Sequence, residues 1–338
     1  MGSSGTGTAR AVVAPMHPHL SAPIPVQGPA LGSHVRVPLG ESSHVVFPLV
    51  LGGAEFGWNL NIDDSHAIID EFVAIGGNAL HTADSFVGGR SEHIIGQWVH
   101  TRGRRDDVVI TTRVGAHPDN PGLGPVQLVR AVEASLMRLQ TDHIDVLYLD
   151  GSVADAPLEE TLATTEWLVE SGKVRTLGAY RFSPSQLVEA RILSSAGYPR
   201  ISVLDVPYNV VRRTDFTDDL RLVASAQGIA VTPSHALEHG FLAGSTRTRA
   251  DAAKSVRGSQ KLDNLTKRGT RTLRALDAIA EELAVPTAAV AVAWLLAQKV
   301  IAAPIVSIDA PSQIHELVQG VGIKLNRGQL ADIARASQ

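Results

Sequence analysis

The sequence predicts an α/β protein built as one (β/α)8 TIM barrel, and three observations predict it. Short runs rich in β-branched apolar residues alternate with amphipathic stretches of helical spacing, the pattern of a parallel sheet whose strands are joined by crossover helices. No G-x-G-x-x-G opens the first crossover, so the doubly wound alternative lacks its phosphate loop. At 338 residues with 44% apolar content, the chain can bury one large core, and barrels reach this size as a single domain.

Residues 1–33 are rich in Gly, Ser, Ala and Pro without periodicity, so they are expected to form a flexible arm before a single domain over 34–338. From Val35, VRVPLGESSHVVFP reads as two short strands around a Gly-Glu-Ser-Ser turn, an N-terminal β-hairpin. Strands are then expected at Leu49–Leu51, Ala79–Thr82, Val108–Val114, Ile144–Leu149, Val174–Ala179, Ser202–Val206, Ile229–Thr232 and Ala303–Ile308. Between them, helical spacing marks Ser65–Ile75, Ser91–Thr101, Val126–Leu139, Leu158–Glu170, Pro184–Ser195, Asp218–Ala226 and Leu265–Leu283, with Thr287–Ala297 before the last strand. Pro311–Gln319 and Arg327–Ala336 are expected as C-terminal extra helices. In such a barrel, chemistry sits where strands end and βα loops begin.

Net charge −4 and a pI near 6.3, with no basic run carrying interleaved aromatics, argue against a nucleic-acid partner. The chain has no cysteine, which excludes disulfides, a thiolate nucleophile and thiolate metal ligands. No apolar run approaches the roughly 18 residues that span a bilayer, and the N-terminus lacks a secretory pattern. A cytoplasmic protein acting on a small molecule, without a membrane partner, is expected; the oligomeric state is not legible.

At the end of the second barrel strand, residues Asn78 to Glu92 read NALHTADSFVGGRSE. This resembles the N-x-x-D-T-A-x-x-Y-G-x-G-x-S-E segment of the aldo-keto reductases. Further matches are DHIDVLYLD with PLEETL, SGKVRTLGAYRFSPSQL, PYNVVRR, HGFLAG and the API–Q–E pattern from Ala303 to Glu316. They extend from about Val35 to the C-terminus, and by them the chain is identified as a divergent member of that superfamily.

The resemblance implies a nicotinamide that delivers hydride to a carbonyl and a Tyr that delivers the proton, with an Asp–Lys pair lowering the Tyr pKa and a His orienting the substrate. By position, His81 stands for the Asp, Phe86 for the Tyr, Arg113 for the Lys and Asp150 for the His. No Lys precedes Lys173 and no Tyr precedes Tyr148, so no shift of alignment restores either group. Phe86 has no proton to give, and Arg113 stays charged at any working pH. On the cofactor side, Tyr180 and Arg181 replace a Ser-Asn pair, Asp205 a Gln, Val306-Ser307 a Pro-Gly turn, and Ala310 beside Asp309 the Arg expected at the 2′-phosphate. An acid beside a phosphate site disfavours NADPH, and no cofactor is expected.

His81 and Asp150 are expected close enough for the Asp to raise the His pKa and fix its tautomer. Such a couple could abstract an acidic proton while Arg113, Arg181 or Tyr180 stabilises the resulting oxyanion. His81 could equally be a core histidine bonded to Asp150 or Arg113, and Asp84 either joins the site or caps the loop before Ser91. Glu55, Trp58, Phe86, Asp205, Tyr208 and His235 are candidate substrate contacts. HALEH, residues 235–239, matches the zinc string H-x-x-E-H, but that string needs a helix and here follows a strand directly, so no metal is expected.

Three functions compete. The first is an aldo-keto-reductase fold turned to redox-neutral lyase, isomerase or cyclase chemistry on a carbonyl-bearing or sugar-like molecule, in secondary metabolism. The second is an NAD(P)H-dependent oxidoreductase with a non-standard proton donor, and the third a noncatalytic binding or regulatory pseudoenzyme. Gain of Asp, His and Arg, each costly to bury, favours the first.

Overall fold

The computed structural model describes residues 35–338; the expected arm at 1–33 lies outside them. The chain opens with an antiparallel hairpin, β1 (Val37–Pro38) and β2 (Val45–Val46). Its turn presses against the sheet: a Cβ on Gly40 would stand 2.2 Å from the Ser202 carbonyl oxygen, and Gly40 itself has φ +62°. Only glycine satisfies both demands.

Strand and helix then alternate as β3 (Val50–Gly52), α1 (Ile62–Ala74), β4 (Ala79–Ala83), α2 (Arg90–Arg102), β5 (Val109–Val114), α3 (Pro125–Leu139) and β6 (Ile144–Asp150). They continue as α4 (Leu158–Glu170), β7 (Val174–Tyr180), α5 (Pro184–Ser195), β8 (Ile201–Asp205), α6 (Asp218–Ala226) and β9 (Ala230–Val231). After β9 come two short helices, α7 (Arg249–Ala253) and α8 (Gly258–Leu262), then α9 (Lys267–Leu283), α10 (Thr287–Leu296), β10 (Ile305–Val306), α11 (Ser312–Gly322) and α12 (Arg327–Ala336).

The eight-stranded sheet is parallel throughout, in the order β10-β3-β4-β5-β6-β7-β8-β9. Closure comes just before β10, where Val231 N donates to Val300 O at 3.0 Å and Ala302 N donates to Val231 O at 2.9 Å. The fold is thus the predicted barrel.

Element ends follow local chemistry. Helix α1 begins three residues before the expected Ser65 because the Asn61 side chain accepts from Asp64 N at 2.9 Å, letting Ile62, Asp63 and Asp64 form the first turn. Ser183 with Gln186 and Asn326 with Gln329 form capping boxes that start α5 and α12 where the sequence expects them.

Strand alternation sorts the interior into layers. Leu39 and Val46 of the hairpin pack with Val50, Ala79, Val109, Val146, Val203 and Ala303, closing the lower end of the barrel with apolar surface. Two residues further along each strand the inward positions change character, to His81 and Thr111, then Arg113, Asp150, Tyr180 and Asp205. Tyr148 lies between the layers, and Gly178 makes room for it: a Cβ there would meet the Tyr148 ring at 2.5 Å. Among the described residues no single helix is long and apolar enough to cross a membrane.

Candidate active site

A cavity of about 600 Å³ opens at the C-terminal ends of the strands. His81, Phe86, Arg113 and Tyr180 line its depth, and Glu55 and Trp58 stand at its mouth. The far wall comes from the loop after β9 and from β10 with its following loop.

His81 is 3% exposed. Its Nδ1 shares a hydrogen bond of 2.8 Å with Thr111 Oγ1, and its ring is held edge to face by Tyr148 at 5.5 Å and Phe86 at 6.3 Å between centroids. Burial, reinforced by Arg113, pushes its pKa down to about 3, so the imidazole is neutral at ordinary pH. The expected rise in pKa is therefore reversed. The expected partner is also different: Asp150 accepts from Ser152 N at 3.0 Å and Ser152 Oγ at 2.5 Å, and its Oδ2 lies 3.5 Å from Arg113 Nε. The carboxylate facing His81 comes from β8 across the barrel, with Asp205 Oδ2 at 4.0 Å from His81 Nε2.

Asp205 is fully buried, and its two oxygens differ. Oδ1 accepts from Ser234 N at 3.1 Å, whereas Oδ2 has no hydrogen-bond partner among the described residues. Burial pushes its pKa up to about 6 against the opposing pull of Arg113. An orphaned carboxylate oxygen is costly to bury, and a pKa near neutrality makes this group able to change charge under working conditions. The phenol of Tyr148 offers no proton here, since burial raises its pKa and it hydrogen-bonds Thr232 Oγ1 at 2.8 Å.

The other expected site residues divide. Glu55 is buried at the mouth, where Arg257 Nε donates to it at 2.5 Å and the same guanidinium covers the Trp58 ring at 4.4 Å. Burial raises the Glu55 pKa and Arg257 opposes that rise. His235 lines the cavity beside His239, with ring centroids 4.9 Å apart, and burial lowers its pKa to about 4. Both stand on left-handed backbone, as does Glu238, and Glu238 N closes a turn on His235 O at 2.8 Å, so HALEH forms a turn where the zinc string requires a helix.

Five expected residues do not line the cavity: the buried Asp205, and Asp84, Asp150, Arg181 and Tyr208. Asp84 Oδ2 accepts from Gly115 N at 3.0 Å, tying the end of β4 to the exit of β5; burial raises its pKa. Asp150 braces Arg113, as described. Arg181 is exposed, with its guanidinium 5.2 Å from the Tyr180 ring. Tyr208 packs against Phe216 of the loop before α6 at 5.2 Å and Trp294 of α10 at 5.5 Å. Arg257, Lys261, Ser307 and His239 also line the cavity. The first two lie in an aperiodic stretch after β9, where only their charge could have flagged them.

With this geometry in hand, the comparisons decide the family: a model of the Aldo/keto reductase family matches residues 48–338. The chain belongs to the aldo-keto reductases. It is 29% identical over 84% of its length to a protein of Arabidopsis thaliana named as a probable voltage-gated potassium channel subunit beta, covering 90% of that protein. It is 27% identical to a norsolorinic acid reductase of Emericella nidulans, over 93% of this chain and 84% of the other. An uncharacterized oxidoreductase of Bacillus subtilis is 29% identical, over 86% and 91%.

Aldo-keto reductases usually bind NADP(H). In this chain the cavity does carry two cations suited to a diphosphate, Arg257 and Lys261, but Arg257 is engaged by Glu55. The wall beyond β10 presents Asp309, so a 2′-phosphate there would meet like charge. The acid therefore opposes the 2′-phosphate of NADPH in particular.

Proposed function

We propose that this aldo-keto reductase catalyses a redox-neutral proton transfer, an isomerisation, elimination or cyclisation, on a small carbonyl compound, with His81 and Asp205 handling the proton. The observation that carries this reading is the unpartnered Asp205 Oδ2, sealed in the barrel 4.0 Å from His81 Nε2; Phe86, which the sequence resemblance sets at the family's proton donor, has no proton to give. Asp205 changes charge near pH 6, and a carboxylate 4.0 Å from His81 Nε2 favours an imidazolium, against the burial and the Arg113 charge that lower the His81 pKa. His81, as a cavity-lining base, takes the proton from the carbon beside the carbonyl. The same nitrogen then returns the proton, to a neighbouring carbon in an isomerisation or to the departing oxygen in an elimination, and Thr111 holds the ring through Nδ1. Arg113, a fixed cation at the cavity floor, balances the oxyanion that develops.

An oxidoreductase using NADH, with the same pair as proton donor, is the second reading. It is favoured by the length of the cavity toward Arg257 and Lys261 and by the oxidoreductase names of relatives. The test incubates the protein with enolisable ketones in deuterated buffer without nucleotide and follows label uptake by NMR, beside calorimetric titration of NADH and NADPH. Label uptake that needs no nucleotide supports the proposal. Turnover that appears only with NADH contradicts it.

A further inference from the structure

The guanidinium of Arg113 is an unusual buried cation. It is 13% exposed and makes no hydrogen bond among the described residues, and Nε is sealed without a partner. Asp150 balances its charge at 3.5 Å without taking up its donors, since Asp150 Oδ1 is already engaged by Ser152. A guanidinium carries five N–H groups in a rigid planar fork, and burying them unused is costly. Aromatic faces hold that plane in place: the guanidinium carbon lies 4.0 Å from the Tyr180 ring centroid and 5.6 Å from that of Phe86. All three side chains line the cavity.

The mouth is different in kind. Trp58, Val87 and Val256 line the same cavity, yet they are 45%, 42% and 63% exposed. Val87 is a β-branched residue at φ +53°, backbone strain that persists only where surrounding structure enforces it. A strained turn that holds an apolar side chain in solvent, on the same cavity as an exposed indole, gives the rim apolar surface beside the Glu55–Arg257 pair and above a polar floor.

We infer that the cavity binds a planar acid with an aromatic or otherwise flat apolar body. Two neighbouring oxygens, those of a carboxylate or of an enolate conjugated to a second oxygen, accept from the unused fork of Arg113 while the body rests on Trp58, Val87 and Val256. The inference deepens the proposed function, since it rests on reading this cavity as the active site, and it names the class of molecule the site accepts. Because Asp150 already offsets the cation, selection comes from donor geometry, which a single ammonium would not reproduce.

Calorimetric titration with 2-naphthoate and 2-naphthamide tests it without turnover. The acid should bind roughly tenfold more tightly than the amide in the parent protein. Arg113→Met and Arg113→Lys should each abolish that preference, and Trp58→Ala should weaken both ligands while leaving their ratio unchanged. Equal affinity for acid and amide in the parent, no binding of either, or a preference that survives in Arg113→Met overturns the inference. The parent comparison stands even if a variant fails to fold. Selective binding of the acid by a protein that shows no label uptake retains this inference and sinks the proposed chemistry.

Discussion

The lower and upper halves of the barrel are made by the same strands with the same alternation, yet they are built for opposite ends. Below, Val50, Ala79, Val109, Val146 and Val203 meet the hairpin's Leu39 and Val46 in an apolar seal. Above, beginning two residues later, His81, Arg113, Asp150 and Asp205 bring four titratable or charged groups into a nearly dry interior. The lower half is a packing solution, in which each inward side chain is satisfied by its neighbours. The upper half retains an orphaned carboxylate oxygen at Asp205 and an unpartnered nitrogen at Arg113. Stability alone would remove both, and this difference is what supports the upper half as the candidate site.

The largest expected effect breaks the upper half at Asp205. Asp205→Asn should lower label uptake by roughly a hundredfold or more, the usual range for loss of acid–base assistance. The same change should stabilise the fold at pH 8. The sign follows from the raised pKa: between 3.8 and about 6 the folded protein holds a proton that the unfolded chain has released, so stability from this group falls as pH rises through that window and stays lost above it. Removing the charge should recover on the order of 2–3 kcal/mol, at 1.36 kcal/mol per pKa unit, read as a higher midpoint in denaturant.

The next effect tests the seam between the halves. Gly178→Ala brings a Cβ to 2.5 Å from the Tyr148 ring, which is enclosed and packed against His81. Overpacking of this kind costs roughly 1–3 kcal/mol, and urea denaturation should show it. Label uptake should fall as well, because Tyr148 holds the His81 ring. Unchanged stability would mean that the upper layer is looser than its burial implies.

The smallest effect concerns Phe86. Phe86→Tyr adds a hydroxyl where the sequence resemblance would set the family's proton donor, beside Arg113; NADPH oxidation with aldehydes should remain at background and stability should shift by no more than about 0.5 kcal/mol. Appearance of NADPH-dependent reduction in this variant would restore the cofactor site to consideration.

Most of the barrel was legible because β-branched runs and 3.6-residue spacing report backbone state directly, and expected helices such as Leu158–Glu170 and Pro184–Ser195 coincide with α4 and α5. Helices α7 and α8 were not, since five residues are too few to display a period. The site was legible as a set: period-two alternation turns His81, Arg113, Asp150, Tyr180 and Asp205 inward. Its pairings were not, because which carboxylate faces His81 depends on what lies across the barrel, and Arg113 intercepts Asp150. The setting of Tyr208 is not legible for a related reason, since its neighbours Phe216, in the loop before α6, and Trp294, in α10, leave no mark on the strand that precedes it.

The central claim is that Asp205 sets the charge state in which His81 acts. The most direct measurement is the pH dependence of nucleotide-free label uptake in the parent, His81→Ala and Asp205→Asn proteins. The parent rate should rise as pH increases through about 6, with a flat and low profile for Asp205→Asn and none above background for His81→Ala. A rise near pH 6 that persists in Asp205→Asn, or parent-level uptake in His81→Ala, would contradict it.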